Sequence, residues 1–126
     1  MQIEFYKCEI CGNIVAKIVD GKGELVCCGK PMHLLKAGEI DAAQEKHVPK
    51  IEKKGNEVNV KVGEVDHPMT EEHYIQWVAL ETDKGIKINK WVPNQKPETT
   101  FPIPPNANVI KVYAYCNLHG LWVATL

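Results

Sequence analysis

Four of the chain's five cysteines fall within its first 36 residues, Cys8 and Cys11 in CEICG and Cys27 and Cys28 in VCCGKPM. No other feature limits the fold as strongly. A segment this short cannot bury enough apolar surface to stabilise itself, so it needs a staple. Cys-x-x-Cys followed by Gly makes a tight turn that aims two thiolates at one point, and the second pair supplies two more. Four thiolates in so small a lobe imply a tetrahedral S4 site for zinc or iron. The adjacent second pair departs from ribbon-type zinc sites, which repeat the two-residue spacer. Neighbouring residues of a strand point to opposite faces. Cys27 and Cys28 must therefore sit in a bend, and distorted sulfur–metal–sulfur angles are expected. Buried free thiols and a disulfide are the competing readings, and an odd number of cysteines argues against a full set of bridges.

The rest of the chain sorts around this lobe, which spans residues 1–36. FYK and NIVAKIV read as short strands, DGKGE as a glycine-rich turn, and ELV as the hairpin partner that returns from it. Residues 37–45, AGEIDAAQE, read as a connector with a little helix. Residues 46–126 read as all-β. PKIEKKG and EVNVKVGEV flank a Gly-Asn turn, YIQWVALE and IKINKWV flank TDKG, and NVIKVYAY and LWVATL flank CNLHG. TTFPI adds a short strand, and the Pro-rich FPIPPN suits an edge or a connection. Six or seven strands with regularly spaced turns predict an immunoglobulin-like β-sandwich.

Four of the five histidines, His47, His67, His73 and His119, lie in this second region, all at strand ends or in loops. Cys116 stands three residues before His119 in CNLHG. Loops gathered at one end of a sandwich are where sites are built. Imidazole is the commonest metal ligand, and a thiolate adds a soft donor. One loop histidine is ordinary; four with a lone cysteine point to a metal. Five such ligands do not make a closed four-coordinate zinc site. They suit iron better and leave a sixth position open.

Composition excludes several classes of function. The formal net charge is −1, without the basic footprint of a nucleic-acid binder. All fifteen positive side chains are Lys, which weakens any reading that needs a bidentate Arg clamp. MQIEFYKCEICG lacks the apolar run of a signal peptide, and no stretch is long enough to span a bilayer. The expected compartment is the cytoplasm, where thiols stay reduced and clustered cysteines are metal ligands.

Taken together, CEICG…VCCGKPM, EKHVP, HPMTEEHYIQW and YCNLHG resemble the desulfoferrodoxins, the two-iron superoxide reductases, over essentially the whole chain and in the same order. The resemblance implies a mainly β protein, with a rubredoxin- or desulforedoxin-like metal-stapled lobe followed by the immunoglobulin-like sandwich. It implies two non-haem irons. Cys8, Cys11, Cys27 and Cys28 would hold the first. His47, His67, His73 and His119 would form a square around the second, with Cys116 axial and the opposite face open to superoxide. The implied reaction is one-electron reduction of superoxide to hydrogen peroxide, with re-reduction by a small electron carrier of the rubredoxin kind. Lys46 would attract the anion, and Glu45 would close the sixth position once the iron is oxidised. The resemblance also implies a homodimer. His33 receives no role, Lys50, Lys53 and Lys54 read as a solvated strand and turn, and Trp77, Trp91, Trp122 and Tyr115 read as packing. The rival functions are a zinc-stapled binding module, a two-iron electron carrier and a dismutase.

Overall fold

The computed structural model of the chain describes residues 3–42, 44–63 and 66–126, with the backbone alone for Gln44 and Glu45. The chain divides into two compact units, 1–36 and 37–126. No helix among the described residues is long and apolar enough to cross a membrane.

The first unit contains β1 (Glu4–Lys7), β2 (Ile14–Lys17), β3 (Val26–Cys27), β4 (Lys30–Pro31) and β5 (His33–Leu34). β1 lies between β2 and β5, and β3 pairs with β4. Phe5, Cys8 and Leu35 are its buried apolar residues among those described, too few to hold a fold by burial alone. The expected hairpin between NIVAKIV and ELV does not form. Ile14–Lys17 pairs with Glu4–Lys7 instead, and Val26 pairs with Pro31. The reason is local. Gly12 N donates to Cys8 O and Cys8 N donates to Asn13 O, which closes a tight loop over 8–13 and sets β1 against β2. The longer segment from 18 to 25 has no such closure to compete with it.

The second unit opens with a helical turn, α1 (Gln44–His47), at the end of the connector. Seven strands follow: β6 (Pro49–Lys54), β7 (Glu57–Val62), β8 (Ile75–Thr82), β9 (Gly85–Lys90), β10 (Glu98–Pro102), β11 (Val109–Cys116) and β12 (Gly120–Ala124). They form two antiparallel sheets, ordered β10-β7-β6 and β12-β11-β8-β9. β7 shows the period-two logic of a half-buried strand: Val58, Val60 and Val62 are fully buried, while Glu57, Asn59 and Lys61 point away. These valines share one core with Val78 and Leu80 of β8, Val112 and Ala114 of β11, and Phe101 of β10. Burying side chains of this size stabilises a fold by about 1.5–3 kcal/mol each. Pro102 sits on β10, which is an edge strand and can spare the missing N–H. The same core reaches Trp91 and the fully buried Cys116 at the end of β11.

β8 is buried on both faces. Opposite the core, Trp77 stacks on Tyr115 with ring centroids 5.6 Å apart and planes 6° from parallel. On that face Tyr113 Oη donates to Glu81 Oε1 at 2.7 Å, and both residues are buried. Burial and the adjacent carboxylate push the Tyr113 phenol well above its ordinary value, so it remains a donor. Tyr113→Phe removes that donor from a buried carboxylate. It should destabilise the protein by about 1–3 kcal/mol, seen as a lower urea midpoint with an unchanged slope.

Candidate metal centres

In the first unit the geometry starts from two turns. CEICG wraps so that Cys11 N approaches Cys8 Sγ at 3.5 Å. The second pair lies on the β3–β4 hairpin, with Cys27 as the last strand residue and Cys28-Gly29 as the two turn residues. Both turn residues have positive φ, 54° at Cys28 and 74° at Gly29. This is the sign pattern of a type I′ turn, whose twist matches paired strands. Placing Cys28 in the left-handed region swings its side chain to the same side as that of Cys27. Adjacent cysteines can then share a centre, as the bend expected from the sequence requires. The four sulfurs lie within 4.8 Å of one another, with Cys11 Sγ 3.6 Å and Cys28 Sγ 4.0 Å from Cys27 Sγ. Without a cation their ionisation is unequal. Backbone N–H groups of Cys11 and Ile10 hold Cys8 down to about 6, whereas the neighbouring sulfurs of Cys11, Cys27 and Cys8 push Cys28 up to about 12. A divalent or trivalent ion at the centre would let all four ionise, which is the fit expected of an S4 metal site.

The second centre gathers residues from three stretches of the second unit. His47 ends α1. His67 and His73 lie in the connection between β7 and β8, and Cys116 and His119 in the β11–β12 hairpin. The four imidazoles stand at the corners of a near-square. Successive ring centroids are 4.6 Å (His47–His67), 4.8 Å (His67–His73), 5.0 Å (His73–His119) and 4.9 Å (His119–His47), and the His47–His73 diagonal is 6.5 Å. Neighbouring rings are steeply inclined, by 74° to 89°. His47 Nε2 and His119 Nδ1 are 3.1 Å apart. Two nitrogens bound at right angles to one zinc-sized ion, at about 2.0–2.1 Å each, would be about 3 Å apart. A ligand atom from each of His47, His67, His73 and Cys116 lies within 4.8 Å of the others, and Cys116 Sγ is 3.9 Å from His119 Nδ1.

Hydrogen bonding fixes which nitrogens are available. A carbonyl only accepts, so the 2.7 Å contact between His67 Nδ1 and Pro68 O places the proton on Nδ1 and frees Nε2. The Nε2 atoms of His67 and His73 are buried and have no hydrogen-bond partner among the described residues. Buried polar atoms without partners are costly, and here two of them belong to one square of imidazoles above a buried thiol. A bound metal ion satisfies both. Burial dominates the electrostatics, lowering His67 to about 4, lowering His73, and raising the Cys116 thiol. His67 and His73 are therefore neutral and ready to bind, and metal uptake would release the Cys116 proton.

Burial also gives the centre a closed and an open side. Cys116, His67 and His47 are at most 3% exposed, while His73 and His119 are partly exposed. Lys46 is exposed, and its charge is one of those that lower His73. The side chain of Glu45 lies outside the described residues. Trp122, read from the sequence as packing, stacks on His47 at 5.0 Å and donates from Nε1 to His119 O at 3.0 Å. Its place just after the CNLHG loop leaves a shielding role open, but its apolar strand context favours packing.

A four-thiolate lobe followed by a sandwich that carries four imidazoles and one thiol defines a metalloprotein with two mononuclear sites. The family model for the desulfoferrodoxin N-terminal domain matches residues 1–35, and the desulfoferrodoxin model matches residues 39–125. The desulfoferrodoxin of Syntrophotalea carbinolica is 53% identical over 121 residues, covering 96% of this chain and 94% of that one. That of Nitratidesulfovibrio vulgaris is 50% identical over 124 residues, covering 98% and 96%. The crystal structure of the superoxide reductase from Treponema pallidum matches with a TM-score of 0.82 at 38% identity, over 99% of this chain and all of that one. The chain belongs to the desulfoferrodoxin family. Its cofactors are two non-haem irons, which the thiolate and imidazole–thiolate donor sets fit.

The depressed His67 sets a pH dependence for the metal-free protein. Its folded value is about 4 against an ordinary 6.5. The unfolded chain therefore binds the extra proton between these values. The stability that neutral His67 contributes is fully present above pH 6.5 and is lost as pH falls towards 4. Urea midpoints of chelator-stripped protein should fall across that window, and His67→Gln should flatten the fall.

Proposed function

We propose that this chain is a superoxide reductase, carrying out one-electron reduction of superoxide to hydrogen peroxide at the histidine–cysteine centre. The observation that carries this reading is the square of four imidazoles closed beneath by buried Cys116 and open on the side of His73 and His119. Ferrous iron held by these residues would supply the one electron that superoxide needs.

The chain's own residues do the rest. His47, His67, His73 and His119 would hold the metal, and burial keeps His67 and His73 neutral before it arrives. Cys116 would hold the metal from the buried side as a thiolate and supply electron density to it. Lys46 supplies positive charge beside the opening and draws the anion in. Two protons complete the product, and the open side admits water to deliver them. Glu45, next to Lys46, is the residue proposed to occupy the sixth position after oxidation. Cys8, Cys11, Cys27 and Cys28 hold the other iron, which has no free position and binds no substrate.

In this reading the chain is organised as an iron lobe over 1–36, a connector over 37–45 and an immunoglobulin-like catalytic domain over 46–126. A small electron carrier of the rubredoxin kind re-reduces it in the cytoplasm. Ile10, Ile18, Val19 and Val26 are exposed on the small first unit, which supports assembly with a second copy.

Cys116→Ser should abolish superoxide consumption and remove the thiolate-to-iron absorption band that oxidation brings out. The iron of the four-cysteine site, read from its own visible spectrum, should stay. A variant that kept both activity and band would overturn the assignment. Lys46→Ala should keep both metals but slow superoxide consumption by about tenfold or more at low ionic strength. It should also flatten the dependence of the rate on salt, which stopped-flow measurements over a salt series would record.

A further inference from the structure

The first ligand loop holds His73, and the second holds Cys116 and His119. Between Cys116 and His119 lies Asn117, which the proposed chemistry leaves without a role. Both ends of its amide are engaged. Tyr74 N donates to Asn117 Oδ1 at 2.9 Å, and Asn117 Nδ2 donates to Glu72 O at 2.9 Å. The backbone adds a third bond, from Asn117 N to Tyr74 O at 3.2 Å. Glu72 and Tyr74 are the residues on either side of His73. One side chain, planted between two members of the centre, thus grips the chain on both flanks of a third.

Other bonds around His73 are local to its own turn. His73 N donates to Thr70 Oγ1, and Thr70 donates to His73 O from both its N and its Oγ1. They shape the turn, and just before it Met69 O accepts from Asn94 N at 2.7 Å, but none of these bonds reaches the Cys116–His119 hairpin. His73 is also less deeply buried than His47 and His67, so packing alone holds it less firmly. Asn117 supplies the connection to the Cys116–His119 hairpin, because its amide offers an acceptor and a donor that reach the peptide groups on both sides of His73. Ser would offer a single hydroxyl on a shorter side chain, and Asp would lack the donor.

We propose that Asn117 is a positioning residue. It locks the His73 loop to the Cys116–His119 hairpin and so fixes the square of imidazoles before the metal arrives. This deepens the metal-centre reading and rests on it. Partners that orient ligands in this way typically change metal affinity by about 10–100-fold when removed.

The fold carries its own control. At the far end of the same strand pair, Asp83 Oδ1 accepts from Asn108 N at 2.8 Å and Asp83 Oδ2 accepts from Asn108 Nδ2 at 3.0 Å, while Asp83 N donates to Asn108 O. This clamp also uses two side-chain bonds and one backbone bond across β8 and β11, but it lies away from the ligands. Asn117→Ala and Asp83→Ala should therefore cost similar stability and differ in their effect on the metal. The experiment loads wild type, N117A and D83A with iron. It follows loss of ferrous iron from the histidine–cysteine site to a colorimetric chelator, with the four-cysteine site monitored separately by its absorption. Thermal midpoints are recorded in parallel. N117A should release that iron about 10–100-fold faster than wild type and shift the oxidised thiolate band. D83A should release it at the wild-type rate with an unshifted band. Equal release rates in N117A and D83A would overturn the proposal. Should N117A not fold, Asn117→Asp keeps the size and the acceptor for Tyr74 N, loses the donor and sets a carboxylate oxygen against Glu72 O, so faster release than D83A is again expected and equal release again overturns it. A wild-type protein that takes up no iron at the histidine–cysteine site would instead sink the metal-centre reading beneath the proposal.

Discussion

The pairing of β8 with β11 is the contact on which the histidine–cysteine centre depends. The two strands run antiparallel from Val109 opposite Thr82 to Cys116 opposite Ile75, with a register shift just before the cysteine. Their ladder places the end of one ligand loop beside the start of the other. Its inner face joins the core through Val78, Leu80, Val112 and Ala114, and its other face is packed by Trp77, Tyr113 and Tyr115. A strand pair packed on both faces has little freedom to shift. Ligands hung from its end inherit that rigidity, which a centre assembled from loops could not generate for itself.

The hairpin that follows converts this rigidity into ligand geometry. Asn117, Leu118 and His119 form a short loop, and Gly120 takes φ 78°, which an L side chain adopts only with strain. A Cβ at Gly120 would also come within 3.0 Å of Ile40 Cδ1. Glycine is thus required twice over, by backbone angle and by close approach of the connector. The loop turns Cys116 and His119 towards one place, and Trp122 then braces His119 from its carbonyl and His47 from its ring face. The buried thiol closes one side of the centre and leaves the less buried histidines facing outward.

The two units answer the same shortage in different ways. The first lacks a core, so its four thiolates do the work that burial does elsewhere. The second has a core of its own, and its metal ligands sit at the rim of that core. A metal held in the first unit would therefore serve the fold, and one held in the second the chemistry.

Much of this could be read from residues in order. The need for a staple, the four thiolate donors, the bend at Cys27–Cys28 and the strand pattern beyond residue 46 all follow from local chemistry: length, side-chain type and the period-two rule. Strand partnership in the first unit did not follow, because ELV is as good a strand as any, and its partner was decided by loop closure at Cys8–Asn13. Asn117, and the contacts by which Trp122 braces two histidines, stayed silent for a related reason. An apolar strand residue and a turn asparagine each look ordinary until a distant segment arrives beside them. The sequence by itself determined which atoms could bind metal and that one region could not stand without it. Only the tertiary structure decided that His47 and His119, 72 positions apart, meet at 3.1 Å, and which side of the centre is open. Ligand type is a property of one residue, whereas convergence depends on pairings between strands far apart in the chain.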